Sequence, residues 1–133
     1  MLKHERATSA SPATVWSLYA EPARWKEWAP QVRSPKGLGD TAVTEGAQGS
    51  IRLGGALPVA ARIISVDPGR SWSWKVGPVV LDHGVRPARE GSVIEIGIEA
   101  PRALETAMRA AYLPVVRLVL ANLARVAERE TAR

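Results

Sequence analysis

Between Pro101 and the C-terminus the chain contains no glycine and one proline, Pro114. Leu104, Met108, Ala111, Val115, Leu118, Val119, Asn122 and Val126 recur at spacings of three and four. At about 100° per residue they share one stripe of a helix. Tyr112, Val116 and Leu123 flank that stripe, and Arg102, Arg109 and Arg117 fall opposite it. The pattern predicts one amphipathic helix on the order of 40 Å long at 1.5 Å per residue. Pro101 opens it, since proline is tolerated in the first turn. Pro114 is expected to kink it near residues 110–113, because its ring clashes with the carbonyl four residues back and it has no N–H to donate. A helix with so broad an apolar face needs a large surface to lie on.

The middle of the chain reads as that surface. Residues 2–8 form a short strand of mixed polarity. Ser11 is a good N-cap with Pro12 in the first helical position, and Val15, Trp16, Leu18 and Tyr19 follow at helical spacing. Pro22 stops this helix and starts a second short one that carries Trp25 and Trp28. Short strands follow at 32–44 (with a turn, and 41–44 as a separate piece), 50–53, 58–66, 71–76, 79–86 and 92–99. Tight turns rich in Gly, Pro and Asp divide them. Residues 71–76 alternate strictly, with Trp72, Trp74 and Val76 on one face and Ser71, Ser73 and Lys75 on the other. Strands joined by short turns make an antiparallel meander. The expected fold class is α+β: a curved antiparallel sheet of six to seven strands wrapped around one long C-terminal helix, with two short helices after the first strand.

Composition narrows the function. At 133 residues the chain is expected to be a single domain, residues 1–133. It has no cysteine and two histidines, so no thiolate or zinc site is expected. Neither a signal peptide nor a stretch of about 18 uncharged apolar residues is visible, so a cytoplasmic location without an integral membrane segment is expected. The net charge of +5 raises nucleic acid or an anionic membrane as a partner, and the distribution of the charges argues against it. The basic residues are scattered singly among glutamates, with no basic run or RNA-binding motif, and nucleic-acid binding is not expected. Leu53-Gly54-Gly55-Ala56 lacks the spacing and following helix of a phosphate-cradling loop, and no cofactor is expected. A monomer or homodimer is anticipated.

Four stretches together carry a family resemblance. Ser9-Ala10-Ser11-Pro12-Ala13-Thr14-Val15-Trp16, running on to Pro22 and then Trp25-Lys26-Glu27-Trp28-Ala29-Pro30, resembles the opening of START-like (SRPBCC) proteins of the polyketide cyclase/dehydrase-like branch. Ala61-Arg62-Ile63-Ile64-Ser65-Val66-Asp67-Pro68, running into Trp72 and Trp74, is similar to their central hairpin. Arg89-Glu90-Gly91-Ser92 is similar to their last hairpin, and Asn122-Leu123-Ala124-Arg125-Val126-Ala127-Glu128 to the end of their C-terminal helix. The resemblance implies a helix-grip fold enclosing an apolar cavity, and a ligand such as a lipid, sterol, quinone or polyketide. It implies no universal catalytic motif. This chain is short for such a protein, with compact turns at Gly54-Gly55 and 76–78, and the expected cavity is small.

The candidate ligand-binding residues are Trp28, Arg62, Trp72, Trp74, His83, Met108, Tyr112 and Asn122. Trp28 matches a recurrent tryptophan of the family at the cavity mouth. Trp72 and Trp74 narrow the cavity if their face is concave and mark an interface if it is convex. Alternation with Leu81 and Val85 turns His83 inward and Asp82 outward, so these neighbours form no dyad. An inward His83 could bond a ligand carbonyl or act as a general acid/base, and Tyr112 could present its hydroxyl to the cavity. Arg62, between Ala61 and Ile63, has no decided direction; turned inward it would stabilise an enolate or oxyanion. Asn122 interrupts the apolar stripe and needs hydrogen-bond partners. These residues suit a small-molecule binder. They also suit a cyclase or dehydratase using His83 or Tyr112. A third possibility is a protein- or membrane-interaction module with a filled core, which would use exposed tryptophans and the basic surface to bind a protein partner or an anionic membrane.

Overall fold

A computed structural model describes the backbone of residues 2–39, 41–53 and 57–131, with the side chains except at Leu2, Met108 and Arg109. Seven strands form one antiparallel sheet: β1 (Leu2–Thr8), β2 (Val32–Lys36), β3 (Gln48–Leu53), β4 (Pro58–Asp67), β5 (Ser71–Val76), β6 (Val79–Ala88) and β7 (Gly91–Glu99). Their order is β1-β7-β6-β5-β4-β3-β2. Strands β2 to β7 are a meander of adjacent hairpins, and β1 closes the far edge by pairing with β7 from Leu2↔Ile98 to Thr8↔Ser92. Helix α1 (Pro12–Ala20) and a 3-10 helix (Pro22–Glu27) carry the chain from one edge of the sheet to the other. Ser11 caps α1 by accepting from the Thr14 N–H at 3.2 Å. The long helix α2 (Arg102–Thr131) contains Pro114 and packs on β1, β7, α1 and the 3-10 helix.

Strand alternation builds the core. Ile51, Ala61, Ile63, Trp72, Trp74, Val85, Ile94, Ile96 and Ile98 are buried on the concave face, while Arg52, Arg62 and Lys75 between them are exposed. The seven strands and two short helices stand where the sequence pattern puts them, with two differences. Residues 41–44 are not a strand. Their backbone bonds go to the end of α1 (Val43 N–H to the Ala20 carbonyl, 2.7 Å) and within the loop (Thr44 N–H to the Leu38 carbonyl, 3.0 Å). This tucks Val43 and Leu38 into the core. The other difference is the phase of α2.

The buried side of α2 is Val116, Val119, Leu120, Leu123, Ala124 and Ala127, not the stripe through Leu104, Leu118 and Asn122. Leu118 is 59% exposed and Leu104 40%. The helix is turned by about one residue, roughly 100°, from the face its periodicity suggests. Apart from Arg117 the residues at 115–120 are all apolar, so periodicity leaves more than one face open to the core. The C-terminal end decides which. Ala124 and Ala127 allow close approach, Thr8 donates to the Glu128 carboxylate at 2.8 Å, and Arg24 bonds Glu130 at 2.6 Å. Ala110–Thr131 is long and apolar enough, by length and composition, to cross a membrane; here it is the helix that the sheet packs against.

This phase is directly testable. Leu123→Ala removes a fully buried side chain and is expected to cost about 3 kcal/mol of unfolding free energy. Leu118→Ala is expected to change it by less than about 0.5 kcal/mol. Urea denaturation of the two variants beside the parent checks both, and equal losses would contradict the phase.

Candidate functional site

The concave face and the middle of α2 enclose a cavity of about 100 Å³. Trp25 and Trp28 from the 3-10 segment form one wall, Trp72, Trp74 and His83 from β5 and β6 the floor, and Tyr112, Val116 and Val119 from α2 the roof. Leu53 of β3, Val32 of β2 and Val76 of β5 close the remaining side. The lining is overwhelmingly apolar, with His83, Tyr112 and Gln31 among its few polar side chains.

Register organises the floor. Trp72 lies directly across from His83 in the β5–β6 ladder. The two rings stack with centroids 4.0 Å apart and 12° between planes. Trp25 covers the ladder by stacking on Trp72 at 5.4 Å and 6°. Trp74 stands edge-on to Trp25, Trp72 and His83. Tyr19 stands edge-on to His83 and Trp28 and donates its hydroxyl to the Glu95 carbonyl at 3.1 Å. Offset and edge-to-face contacts are the favourable arrangements for rings of this kind.

Polar accounting distinguishes the tryptophans. Trp25 donates to the Tyr19 carbonyl at 2.9 Å and Trp28 to the Leu18 carbonyl at 3.0 Å. The indole N–H groups of Trp72 and Trp74 are buried and have no acceptor among the described residues. An unsatisfied buried donor costs about 1–3 kcal/mol, and perpendicular ring neighbours can supply only weak N–H···π contacts. His83 Nδ1 lies 3.3 Å from the Trp72 carbonyl. A carbonyl only accepts, so Nδ1 carries the proton and Nε2 is left as an acceptor. Burial disfavours the imidazolium and lowers the His83 pKa to about 4; the Trp72 carbonyl and Asp82 oppose this only partly. The ring is neutral at physiological pH.

The structure thus brings Trp28, Trp72, Trp74, His83 and Tyr112 to one cavity. Arg62 is elsewhere: exposed between buried Ala61 and Ile63, it projects from the opposite face of the sheet, and an enolate-stabilising role inside the cavity is ruled out by that alternation. Asn122 is half-buried and outside the lining. Its Nδ2 donates to the Trp28 carbonyl at 3.4 Å and its Oδ1 accepts from Arg125 at 2.8 Å. The Met108 side chain lies outside the described residues. Trp25 joins the lining although it was not among the candidates; its spacing of three from Trp28 was the available signal. Among the described residues no cluster of His, Cys, Asp or Glu suits a metal ion.

A sheet gripping one helix over an apolar chamber defines the helix-grip class. Residues 2–128 match the family model described as polyketide cyclase / dehydrase and lipid transport. The chain belongs to that family. It is similar in structure to MLL2253 from Mesorhizobium loti, with a TM-score of 0.79, 15% identity and 96% of each chain covered. Cgl2372 from Corynebacterium glutamicum, a Polyketide_cyc-like protein, gives a TM-score of 0.70 at 20% identity, over 98% of this chain and 92% of its own. EF2215 from Enterococcus faecalis gives 0.76 at 19% identity, over 95% of this chain and 70% of its own. At these identities the likeness is one of fold. No curated protein matches the chain.

The depressed His83 pKa has a stability consequence of definite sign. The folded-state value of about 4 lies below the ordinary 6.5, so as pH falls the unfolded chain takes up the proton first. The contribution is complete above about pH 6.5 and is lost as pH falls toward 4, by about 3 kcal/mol in all at 1.36 kcal/mol per unit. Denaturant unfolding at neutral pH and near the lower limit is expected to show this loss in the parent. His83→Gln is expected to show a pH dependence smaller by that amount, and identical pH profiles would contradict the assignment.

Proposed function

We propose that the protein binds a small, mainly apolar, ring-bearing molecule with an acceptor oxygen, held between the sheet and α2. The observation that carries this is the cavity itself: an aromatic chamber in which two indole donors, Trp72 and Trp74, lack acceptors. Membership in a family described by polyketide cyclisation and lipid transport supports the same ligand class. Volume narrows it further. Drug-sized ligands occupy pockets of about 300–1,000 Å³, and an apolar cavity of about 150 Å³ accommodates benzene. A chamber of about 100 Å³ is smaller than that, so it suits the insertion of part of a ring-bearing molecule, with the remainder outside the chamber.

Binding fits the site better than acid–base turnover. General catalysis is most effective when the catalytic pKa lies near the working pH, and His83 is held near 4. A neutral imidazole with its Nε2 lone pair free is suited to accept a hydrogen bond from a ligand hydroxyl. Burial of the ring would supply most of the affinity at roughly 25 cal/mol per Å².

Tryptophan fluorescence titration with toluene and benzaldehyde, rings that differ by one carbonyl, tests the reading. Benzaldehyde is expected to bind roughly tenfold more tightly, the worth of about one satisfied buried donor. Trp74→Phe, which keeps a ring but removes an N–H, is expected to shrink that ratio. Saturable binding of neither compound would overturn the proposal, and equal binding of both would overturn the role of the indoles.

A further inference from the structure

The convex face of the sheet is divided by charge. On the β1-β7-β6 half, cations are neutralised: Arg86 bridges Glu5 at 3.0 Å and Glu95 at 3.5 Å, and Lys3 bridges Glu95 at 3.3 Å. The β2-β3-β4-β5 half is different. Arg33 and Arg52 are directly opposite each other across β2 and β3. Arg62 and Lys75 are directly opposite across β4 and β5. Lys36 faces Ser50, two residues from Arg52 on β3. All five cations are exposed, and none is in an ion pair among the described residues. The nearest carboxylate by register is Asp82. It sits diagonal to Lys75, opposite Ser73, and accepts the Ser73 hydroxyl instead.

Like charges directly opposite on one face of a sheet are destabilising. Two such pairs on adjoining hairpins, with no compensating acid among the described residues, leave a cost that an anionic surface would relieve. Apolar side chains accompany the patch. Leu57, next to Pro58 opposite Arg52, is 83% exposed, and Ile64, two residues beyond Arg62 on β4, is 41% exposed. Cations beside a protruding leucine match the two attractions an anionic bilayer offers, headgroup charge and an apolar interior. An acidic protein surface or nucleic acid would use the charges and leave Leu57 without a role.

We propose that this face, Arg33, Lys36, Arg52, Arg62 and Lys75 with Leu57 at its margin, docks the protein on an anionic lipid surface. The proposal stands independently of what the cavity holds. It also suits the cavity, because β3 presents Arg52 on one side and the lining residues Ile51 and Leu53 on the other. The protein would then sit on the bilayer with one wall of its chamber a strand's thickness away.

Co-sedimentation with phosphatidylcholine vesicles, with and without phosphatidylserine, tests this on the full chain. Binding is expected only with phosphatidylserine present, and to disappear at about 0.5 M salt. Each cation near such a surface is worth roughly fivefold in affinity, the equivalent of about 1 kcal/mol. Both R33Q/R52Q and R62Q/K75Q are therefore expected to weaken binding about 25-fold, without loss of unfolding free energy because a like-charge pair is relieved. Leu57→Ser is expected to weaken it at each salt concentration where the parent still binds, and Lys26→Gln, away from the patch, to leave it unchanged. Equal binding to neutral vesicles, or undiminished binding by both double variants, would overturn the proposal. So would retention on polyglutamate or duplex DNA with no vesicle binding, which would assign the face to an acidic protein or to nucleic acid.

Discussion

The contact on which the rest depends is the stack of His83 on Trp72. The β5–β6 register places them opposite one another, and their rings lie 4.0 Å apart. Burial keeps the imidazole of this stack neutral, because a charged ring in so buried a place would carry a large desolvation cost. The Trp72 carbonyl fixes the tautomer by accepting from Nδ1. Trp25 then closes over Trp72 from the 3-10 segment, and Tyr19 of α1 meets His83 edge-on. The two short helices are thereby joined to the β5–β6 hairpin, distant in sequence, through one pair of rings. The same joint forms the floor of the cavity, so fold and site rest on one set of contacts.

Helix α2 does two things along its length. Its C-terminal half is anchored by close-packed Ala124 and Ala127 and by the Thr8–Glu128 and Arg24–Glu130 bonds. Tyr112, Val115, Val116 and Val119, farther back, roof the cavity. The described side chains of residues 102–111 are mostly exposed. Local stability follows buried contact, so the C-terminal half is what fixes the helix against the sheet.

The sheet is likewise used on both faces. Period-two alternation gives β3, β4 and β5 an aromatic and aliphatic side for the chamber and a cationic side for whatever lies outside. The concave side leaves two indole donors unpartnered and the convex side leaves two like-charge pairs uncompensated. Neither feature is offset among the described residues, and an acceptor-bearing ligand and an anionic surface are the partners proposed for them.

How much of this was legible in the sequence follows from the range of the interactions. Strands, turns and short helices were legible because alternation, Gly-Pro punctuation and the Ser11-Pro12 cap act within a few residues. The inward direction of His83 followed from Leu81 and Val85 on its own strand, and the family resemblance extended local pattern to the whole fold. Residues 41–44 were misread because their hydrogen bonds go to α1 and Leu38 rather than to a strand. Arg62 was undecided because the strand around it, Ala61-Arg62-Ile63-Ile64, is too apolar to show which side is core. The rotation of α2 was hidden for the same reason: with every residue at 115–120 but Arg117 apolar, periodicity leaves more than one face available. The sequence by itself determined the elements, their order and which strand residues share a face, since those are set by covalent geometry and neighbours. Only the tertiary structure decided the face of α2, the Trp25–Trp72–His83 stack and which indoles go unpaired. Those depend on side chains brought together from far apart in the chain, where shape and hydrogen-bond partners decide.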